Sequence, residues 1–185
     1  MIVTINDELS LERTHNNHAE PLFFAVDNNR DHLSKFLPWV ANMQTVNDFK
    51  NYINICESLN RIKKEVSFVI IYKEELVGRI GINHIDLQNK NAAIGYWLIK
   101  KAEGNGIITT ACKKLISYGF TNLDLNRIEI KAATENLKSQ AIPQKLNFTY
   151  EGILRQAELV NNEFLDLKLY SLLKNEWKKE SEMDC

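Results

Sequence analysis

The spacing of apolar residues changes character along the first third of this chain. Residues 3–11 alternate between apolar and polar side chains, which predicts a strand at a sheet edge. Helical spacing begins near His18 and continues to residue 26. Asp31 is a typical N-cap residue, and it predicts a short helix that ends before Pro38. A longer helix is predicted from about Asn47, with these side chains on its inner face: Phe49, Tyr52, Ile53 and Cys56.

The middle of the chain is rich in β-branched and aromatic residues, which favour strands. Residues 67–72 predict one strand, and the polar residues 73–75 turn the chain into a second strand over 76–82. After a polar run at 88–91, residues 92–99 predict a third strand. These segments read as consecutive antiparallel hairpins.

The last third alternates between helical and strand patterns. Residues 107–120 predict a strong helix, and a strand over 127–133 and a helix over 136–146 follow. Two closing strands are predicted around 153–158 and 164–172. A strand-helix-strand unit set among hairpins gives an α/β domain with a mixed, mostly antiparallel sheet flanked by helices. We expect a single domain over residues 1–185, with one helix stripe formed by Ile108, Ala111, Cys112, Leu115 and Ile116.

Composition narrows the classes of function. The 185 residues carry 23 basic and 24 acidic side chains, for a net charge of -1, which argues against direct nucleic-acid binding. The N-terminus lacks the layout of a signal peptide, and no apolar run approaches the roughly 20 residues that span a bilayer. We therefore expect a cytoplasmic protein with no membrane partner. The three cysteines show no spacing typical of metal ligands, so no metal site is expected.

The segment after the third predicted strand carries the clearest pattern of a binding site. Gly104-Asn105-Gly106 precedes the helix that opens with Ile107, Ile108 and Thr109. Glycines allow close approach of the backbone, and a helix N-terminus offers unpaired N–H groups and a partial positive charge. Together they form a phosphate cradle. A flexible turn into the helix explains the glycines equally well, and both interpretations remain open at this point.

Several motifs in order resemble the GCN5-related N-acetyltransferase (GNAT) superfamily. Residues 94–98 followed by 104–109 resemble its motif A, and 127–131 with 136–148 resemble the next strand and helix. Residues 151–158 resemble the RimJ/RimL-like branch, the ribosomal-protein serine N-acetyltransferases. The resemblance covers essentially the whole chain, including Leu37-Pro38-Trp39 near its start.

This resemblance implies the GNAT fold and acetyl-CoA as co-substrate, without a metal. It places the pantetheine arm along the backbone of Tyr96, Trp97 and Leu98, where the neighbouring strand splays away. Asn136 is expected to hold the arm from the other side, and it also suits a helix N-cap. The CoA pyrophosphate is expected on the backbone of Gly104, Asn105, Gly106, Ile107, Ile108 and Thr109.

The sequence also departs from the family pattern. Lys101 and Glu103 stand where the family commonly has Gln or Arg, and Glu103 puts an acid beside the phosphate site. We expect neighbouring Lys100 and Lys101 to offset that charge. Asn147 replaces a common Gly at the end of the last helix, and Asn tolerates the left-handed conformation.

The family resemblance also suggests acid and base residues. Pro143 occupies the position at which many members carry a tyrosine acid, so that route is closed. The RimL-like pattern instead implies Ser139 as the acid and Glu158 as the base. Ser139 also suits helix capping, and Glu158 also suits a surface strand. His84 is the other plausible base.

The implied activity is transfer of an acetyl group from acetyl-CoA to an amine, by direct attack in a ternary complex. The branch resemblance favours the N-terminal α-amine of a protein, such as a ribosomal protein. Acetylation of a small amine (a polyamine, amino acid or antibiotic) and a non-catalytic CoA-binding role remain open. Residues 165–173 suit either strand pairing in a homodimer or burial within one subunit.

Overall fold

The computed structural model describes residues 2–177, which form one sheet with helices packed against it. The strands are β1 (Ile2–Thr4), β2 (Leu9–Arg13), β3 (Val66–Tyr72), β4 (Glu75–Asp86), β5 (Asn91–Leu98), β6 (Arg127–Ala133), β7 (Thr149–Val160) and β8 (Glu163–Leu173). The helices are α1 (Ala19–Asp27), α2 (Arg30–Leu33), α3 (Val46–Arg61), α4 (Ile107–Thr121) and α5 (Leu137–Lys145). Short 3₁₀ turns cover Asn16–His18, Pro38–Asn42 and Lys100–Ala102.

The sheet is mixed, as predicted. Its order is β1-β2-β3-β4-β5-β6-β8-β7, and the neighbouring strands are antiparallel except for the parallel pair β5 and β6. Helix α4 connects that pair, as a parallel crossover requires. It packs on β4 and β5, while α1 and α3 pack on β4 and β3. In the part of the chain that the structure describes, no helix is long and apolar enough to cross a membrane.

The inner faces of the two longest helices are largely as predicted. Phe49, Ile53 and Cys56 of α3 are buried, although Tyr52 is only partly buried. The predicted stripe of α4 is buried along its whole length. The repeat of apolar side chains every 3.6 residues therefore identifies which side of each helix faces the sheet.

Two predicted boundaries near the N-terminus are wrong. The single strand expected over 3–11 is split into β1 and β2, because the Asn6 side chain accepts the N–H groups of Glu8 and Leu9 and forms a turn. Asp31 lies inside the first turn of α2, whose N-cap position is Asn29.

Strand pairing within one chain accounts for the central part of residues 165–173. From residue 167 to residue 171, β8 pairs with β6 on one side and with β7 on the other. This stretch therefore has no free edge for a partner subunit, because both of its edges are paired within one chain. The outer strand of the hairpin is β7.

Close packing of β4 against β5 depends on Gly78. A Cβ atom at this position would lie 2.2 Å from the Trp97 carbonyl oxygen, a backbone atom that moves only with its strand. We expect Gly78→Ala to lower the free energy of unfolding by about 1–3 kcal/mol, as overpacking does. Urea unfolding measures this change.

Gly95→Ala is the matched control for that variant, because its added Cβ would meet only the side-chain Nδ2 of Asn83, at 3.0 Å. The Asn83 side chain can rotate away, so we expect Gly95→Ala to lower the free energy of unfolding less than Gly78→Ala does. Equal losses in the two variants would contradict the assigned role of Gly78.

Candidate active site

The parallel pair β5 and β6 separates after three residues. Pairing joins Asn91, Ala92 and Ala93 of β5 to residues 127–129 of β6 and then stops. From there to Leu98, β5 pairs with β4 on one side, and its other edge has no strand partner among the described residues. The expected splay beside Tyr96, Trp97 and Leu98 is therefore present, and backbone groups on that edge are available to an extended ligand.

A cleft of about 820 Å³ opens beside this edge, within the size range of small-molecule sites. It brings together Tyr96 and Trp97 of β5, Asn136 and Ser139 at the start of α5, and Glu158 of β7. These residues come from three separate elements of the last half of the chain. Leu98 follows on the same open edge, just outside the cleft lining.

The glycine loop leads from this edge into α4. Gly104 and Gly106 have φ angles of 82° and 71°, a region that favours glycine. Gly106 is the N-cap of α4 and makes no side-chain cap, whereas Thr45 caps α3 and Asn136 caps α5. The side chain of Asn105 turns back to bond the carbonyls of residues 102 and 103.

The first N–H to bond back along α4 is that of Thr110, to the Gly106 carbonyl. The three residues before it, Ile107, Ile108 and Thr109, keep the N–H groups that any helix start leaves unpaired. A Cβ placed on either glycine would meet nothing within 4 Å, so the loop is open to a ligand. An uncapped, open helix N-terminus fits a phosphate group, and the backbone of residues 104–109 would hold the pyrophosphate of CoA.

The charge of Glu103 is balanced differently from the expectation. Its carboxylate pairs with Lys138 Nζ at 2.5 Å and lies 3.4 Å from His32 Nε2. Lys101 instead bonds Glu75, at 2.6 Å and 2.8 Å. Lys101 therefore pairs with Glu75 and not with Glu103, and the ammonium that contacts Glu103 comes from α5, 35 residues further along the chain.

The first turn of α5 is fixed by two hydrogen bonds. Asn136 Oδ1 accepts the N–H of Ser139 at 3.1 Å, so its N-cap role is confirmed. Tyr96 Oη donates to the Ser139 carbonyl oxygen at 2.9 Å, and the Ser139 hydroxyl lies 3.4 Å from the same Oη. Burial raises the pKa of Tyr96, so the phenol remains a donor. These contacts hold Ser139 at the cleft.

Glu158 is placed in the cleft by an irregularity of β7. Leu154 pairs with Leu167, yet Glu158 pairs with Leu165, so that three residues bulge out between them. The Glu158 carboxylate is half-buried and makes no hydrogen bond or ion pair with the described residues. Burial raises its pKa above the ordinary value. A carboxylate with these properties can accept a proton from an incoming amine.

His84, the other plausible base, and Trp39 also line the cleft. His84 is exposed on a bulge of β4, where its φ angle is 54°. Trp39 packs against Trp97, with ring centroids 5.9 Å apart, so it serves both as packing and as cleft wall.

Sequence reasoning missed a buried polar group in the same wall. The Arg79 guanidinium lies over the Tyr52 ring at 5.0 Å and bonds Glu65 Oε1 at 2.5 Å. All three side chains line the cleft. A charged residue at an otherwise apolar strand position was the available signal for Arg79.

Comparison with known proteins identifies the family. Residues 8–149 match the family model described as an acetyltransferase (GNAT) domain. The putative ribosomal N-acetyltransferase YdaF of Bacillus subtilis (strain 168) is 36% identical over 179 residues, covering 95% of this chain and 97% of that protein.

Two solved structures superpose over nearly the whole chain. Microcin C7 self immunity acetyltransferase MccE, in complex with acetyl-CoA and AMP, has a TM-score of 0.88 and 34% identity, covering 92% of this chain and 95% of that one. RimL, a ribosomal L7/L12 alpha-N-protein acetyltransferase in complex with coenzyme A, has a TM-score of 0.91 and 26% identity, covering 95% and 99%. This chain belongs to the GNAT family of N-acetyltransferases.

Proposed function

We propose that this enzyme transfers the acetyl group of acetyl-CoA to the N-terminal α-amine of a protein. The observation that carries the proposal is the unpartnered carboxylate of Glu158, which shares one cleft with the open edge of β5 at Tyr96 and Trp97. The cofactors of RimL and MccE support acetyl-CoA as the donor. The RimL and YdaF names support a ribosomal protein as the acceptor.

The described residues divide the chemistry between them. Bound acetyl-CoA supplies a thioester whose carbonyl carbon forms the new C–N bond as its C–S bond breaks. An α-ammonium loses two protons in becoming an amide; one leaves with the CoA thiol and one is released. Glu158 accepts the first of these protons, directly or through a water molecule, and frees the nitrogen lone pair for attack. Backbone N–H groups on the open β5 edge are available to the carbonyl oxygen as it gains negative charge.

The charges around the cleft favour an α-amine over a polyamine. Lys64, Arg79 and Lys131 face the same space as Glu65, Asp86 and Glu158. The bond between Arg79 and Glu65 neutralises both, which leaves Lys64 and Lys131 opposite Asp86 and Glu158. A polycation would gain little from such a balanced lining, whereas a single ammonium group needs only the Glu158 carboxylate.

Ser139 is assigned the role of proton donor to the departing thiolate. A free thiol has a pKa of about 8.5 and leaves readily without help. We therefore expect Ser139→Ala to lower kcat less than about tenfold, below the roughly 10²–10⁴-fold that general acid catalysis commonly contributes. Ser58→Ala, on the exposed face of α3, is the matched control and should leave kcat unchanged. Steady-state release of CoA measures both, and a loss of 100-fold would make the hydroxyl essential.

The acceptor class is tested by release of CoA from acetyl-CoA with a pair of peptides. Both carry the same sequence with one lysine, and one of them has its N-terminus already acetylated. We expect turnover with the free N-terminus only, because the ε-amine of lysine is not the assigned acceptor. Equal turnover of the two peptides, or faster turnover of spermidine, would overturn the proposed acceptor.

A further inference from the structure

Two polar contacts cross the space between β5 with its following loop and α5. One is the hydrogen bond from Tyr96 Oη to Ser139, which lies inside the protein. The other is the ion pair between Glu103 and Lys138, which lies at the surface: the Lys138 side chain is 75% exposed and that of Glu103 23%. The proposed cofactor passes through the same space, between the open β5 edge and the start of α5. With the cofactor bound in this way, the surface pair would lie beside its phosphate groups.

Stability does not explain this ion pair. An ion pair with one partner as exposed as Lys138 contributes about 0–1 kcal/mol to folding. Glu103 directly precedes Gly104 and the uncapped start of α4, where an unpaired carboxylate would repel a diphosphate. The placement of Lys138 thus matters most when an anion occupies the loop.

The geometry also leaves Lys138 able to bind. An ammonium group has three N–H donors, and Glu103 Oε2 accepts one of them. The other donors are accessible because the side chain is largely exposed. The other carboxylate oxygen of Glu103 lies 3.4 Å from Nε2 of His32, in α2. The carboxylate therefore fixes the ammonium next to the glycine loop.

We propose that Lys138 binds the diphosphate of acetyl-CoA from the α5 side, and that Glu103 positions it. This inference rests on the proposed function, since it assigns a further phosphate-binding residue to the same acetyl-CoA site. The phosphates would then have the backbone N–H groups of residues 107–109 on one side and the positioned Lys138 ammonium on the other. Such a site selects a diphosphate-bearing donor over one that ends at the pantetheine.

The test is calorimetric titration of the full chain with CoA and, separately, with pantetheine, which lacks the phosphates. We expect Lys138→Met to weaken CoA binding about tenfold, the effect of losing one charge-assisted hydrogen bond, and to leave pantetheine binding unchanged. Lys145→Met, an exposed position at the other end of α5, is the matched control and should bind CoA like the wild type. Unchanged CoA binding by Lys138→Met would overturn the inference.

A double variant separates binding from simple neutralisation of Glu103. If Lys138 only cancels that carboxylate, Lys138→Met combined with Glu103→Gln will bind CoA as tightly as the wild type. If Lys138 contacts the phosphates, the double variant will stay about threefold or more weaker. Full recovery would overturn the inference. Failure of the wild type itself to bind CoA would instead overturn the proposed function.

Discussion

Replacing Glu158 by Gln is expected to lower kcat/KM for a peptide acceptor by about 100-fold or more. General base catalysis contributes about 10²–10⁴-fold, and among the described residues Glu158 is the unpaired carboxylate in the cleft. The amide keeps the size of the side chain and cannot take up a proton. Steady-state kinetics across pH measures the loss.

The pH profile provides a second readout of the same variant. Glu158 accepts a proton only when ionised, so the wild-type rate rises with pH through its raised pKa. Glu158→Gln should lose this rise in rate with pH. A rise near pH 8, where the acceptor α-amine itself loses its proton, should remain. Because burial raises the folded-state pKa, ionisation of Glu158 destabilises the fold as pH rises. The Gln variant should therefore unfold at the same or a higher temperature at pH 7.

Glu163→Gln is the matched control, since it makes the same charge change at an exposed position of the same hairpin. It should keep the wild-type rate and pH profile. A Glu158→Gln enzyme that retains its rate within threefold would show that the base lies elsewhere, with His84 as the next residue to replace.

Gly106→Glu is expected to weaken acetyl-CoA binding on the order of 100-fold. Two unit charges about 4 Å apart repel by about 4 kcal/mol at the effective dielectric of a protein surface, which exceeds the energy of a 100-fold change. The new carboxylate would stand at the N-terminus of α4, where the N–H groups of Ile107 to Thr109 are free for the pyrophosphate. Calorimetric titration with acetyl-CoA, without added metal, measures the change.

The backbone at Gly106 needs its own control, because φ is 71° there. Gly106→Asn adds a side chain without charge, and Asn adopts the left-handed conformation at small cost. It should retain most of the affinity. Comparable weakening in both variants would assign the effect to the backbone instead of the phosphate contact, and unchanged binding by Gly106→Glu would remove the loop from the cofactor site.

The parts of the fold that were predictable from sequence are those fixed by short-range patterns. The stripe of α4 and the turn at Gly104 to Gly106 are read from neighbours within a few residues, so they appear in the sequence directly. The expected splay of β5 from β6 came from family resemblance, and the pairing confirms it. The turn made by the Asn6 side chain is also a local feature. It was not predicted, because apolar and polar residues alternate on both sides of it as they would in one continuous strand.

The parts that were not predictable depend on contacts between distant segments. Glu103 and Lys138 meet only because α5 packs beside the loop before α4, and Glu65, just before β3, meets Arg79 of β4 only because those two strands pair. The bulge that places Glu158 in the cleft depends likewise on how β7 pairs with β8. No local spacing specifies any of these, because strand register is set by the whole hairpin and its burial.

The acceptor assignment is tested most directly by locating the acetyl group on the product. The enzyme is incubated with acetyl-CoA, spermidine and a peptide that carries one free α-amine and one lysine, and the products are resolved by fragment-ion mass spectrometry. The account predicts one acetyl group per peptide, on the N-terminal nitrogen, and unmodified spermidine. Acetyl groups on the lysine or on spermidine, with a free peptide N-terminus, would contradict it.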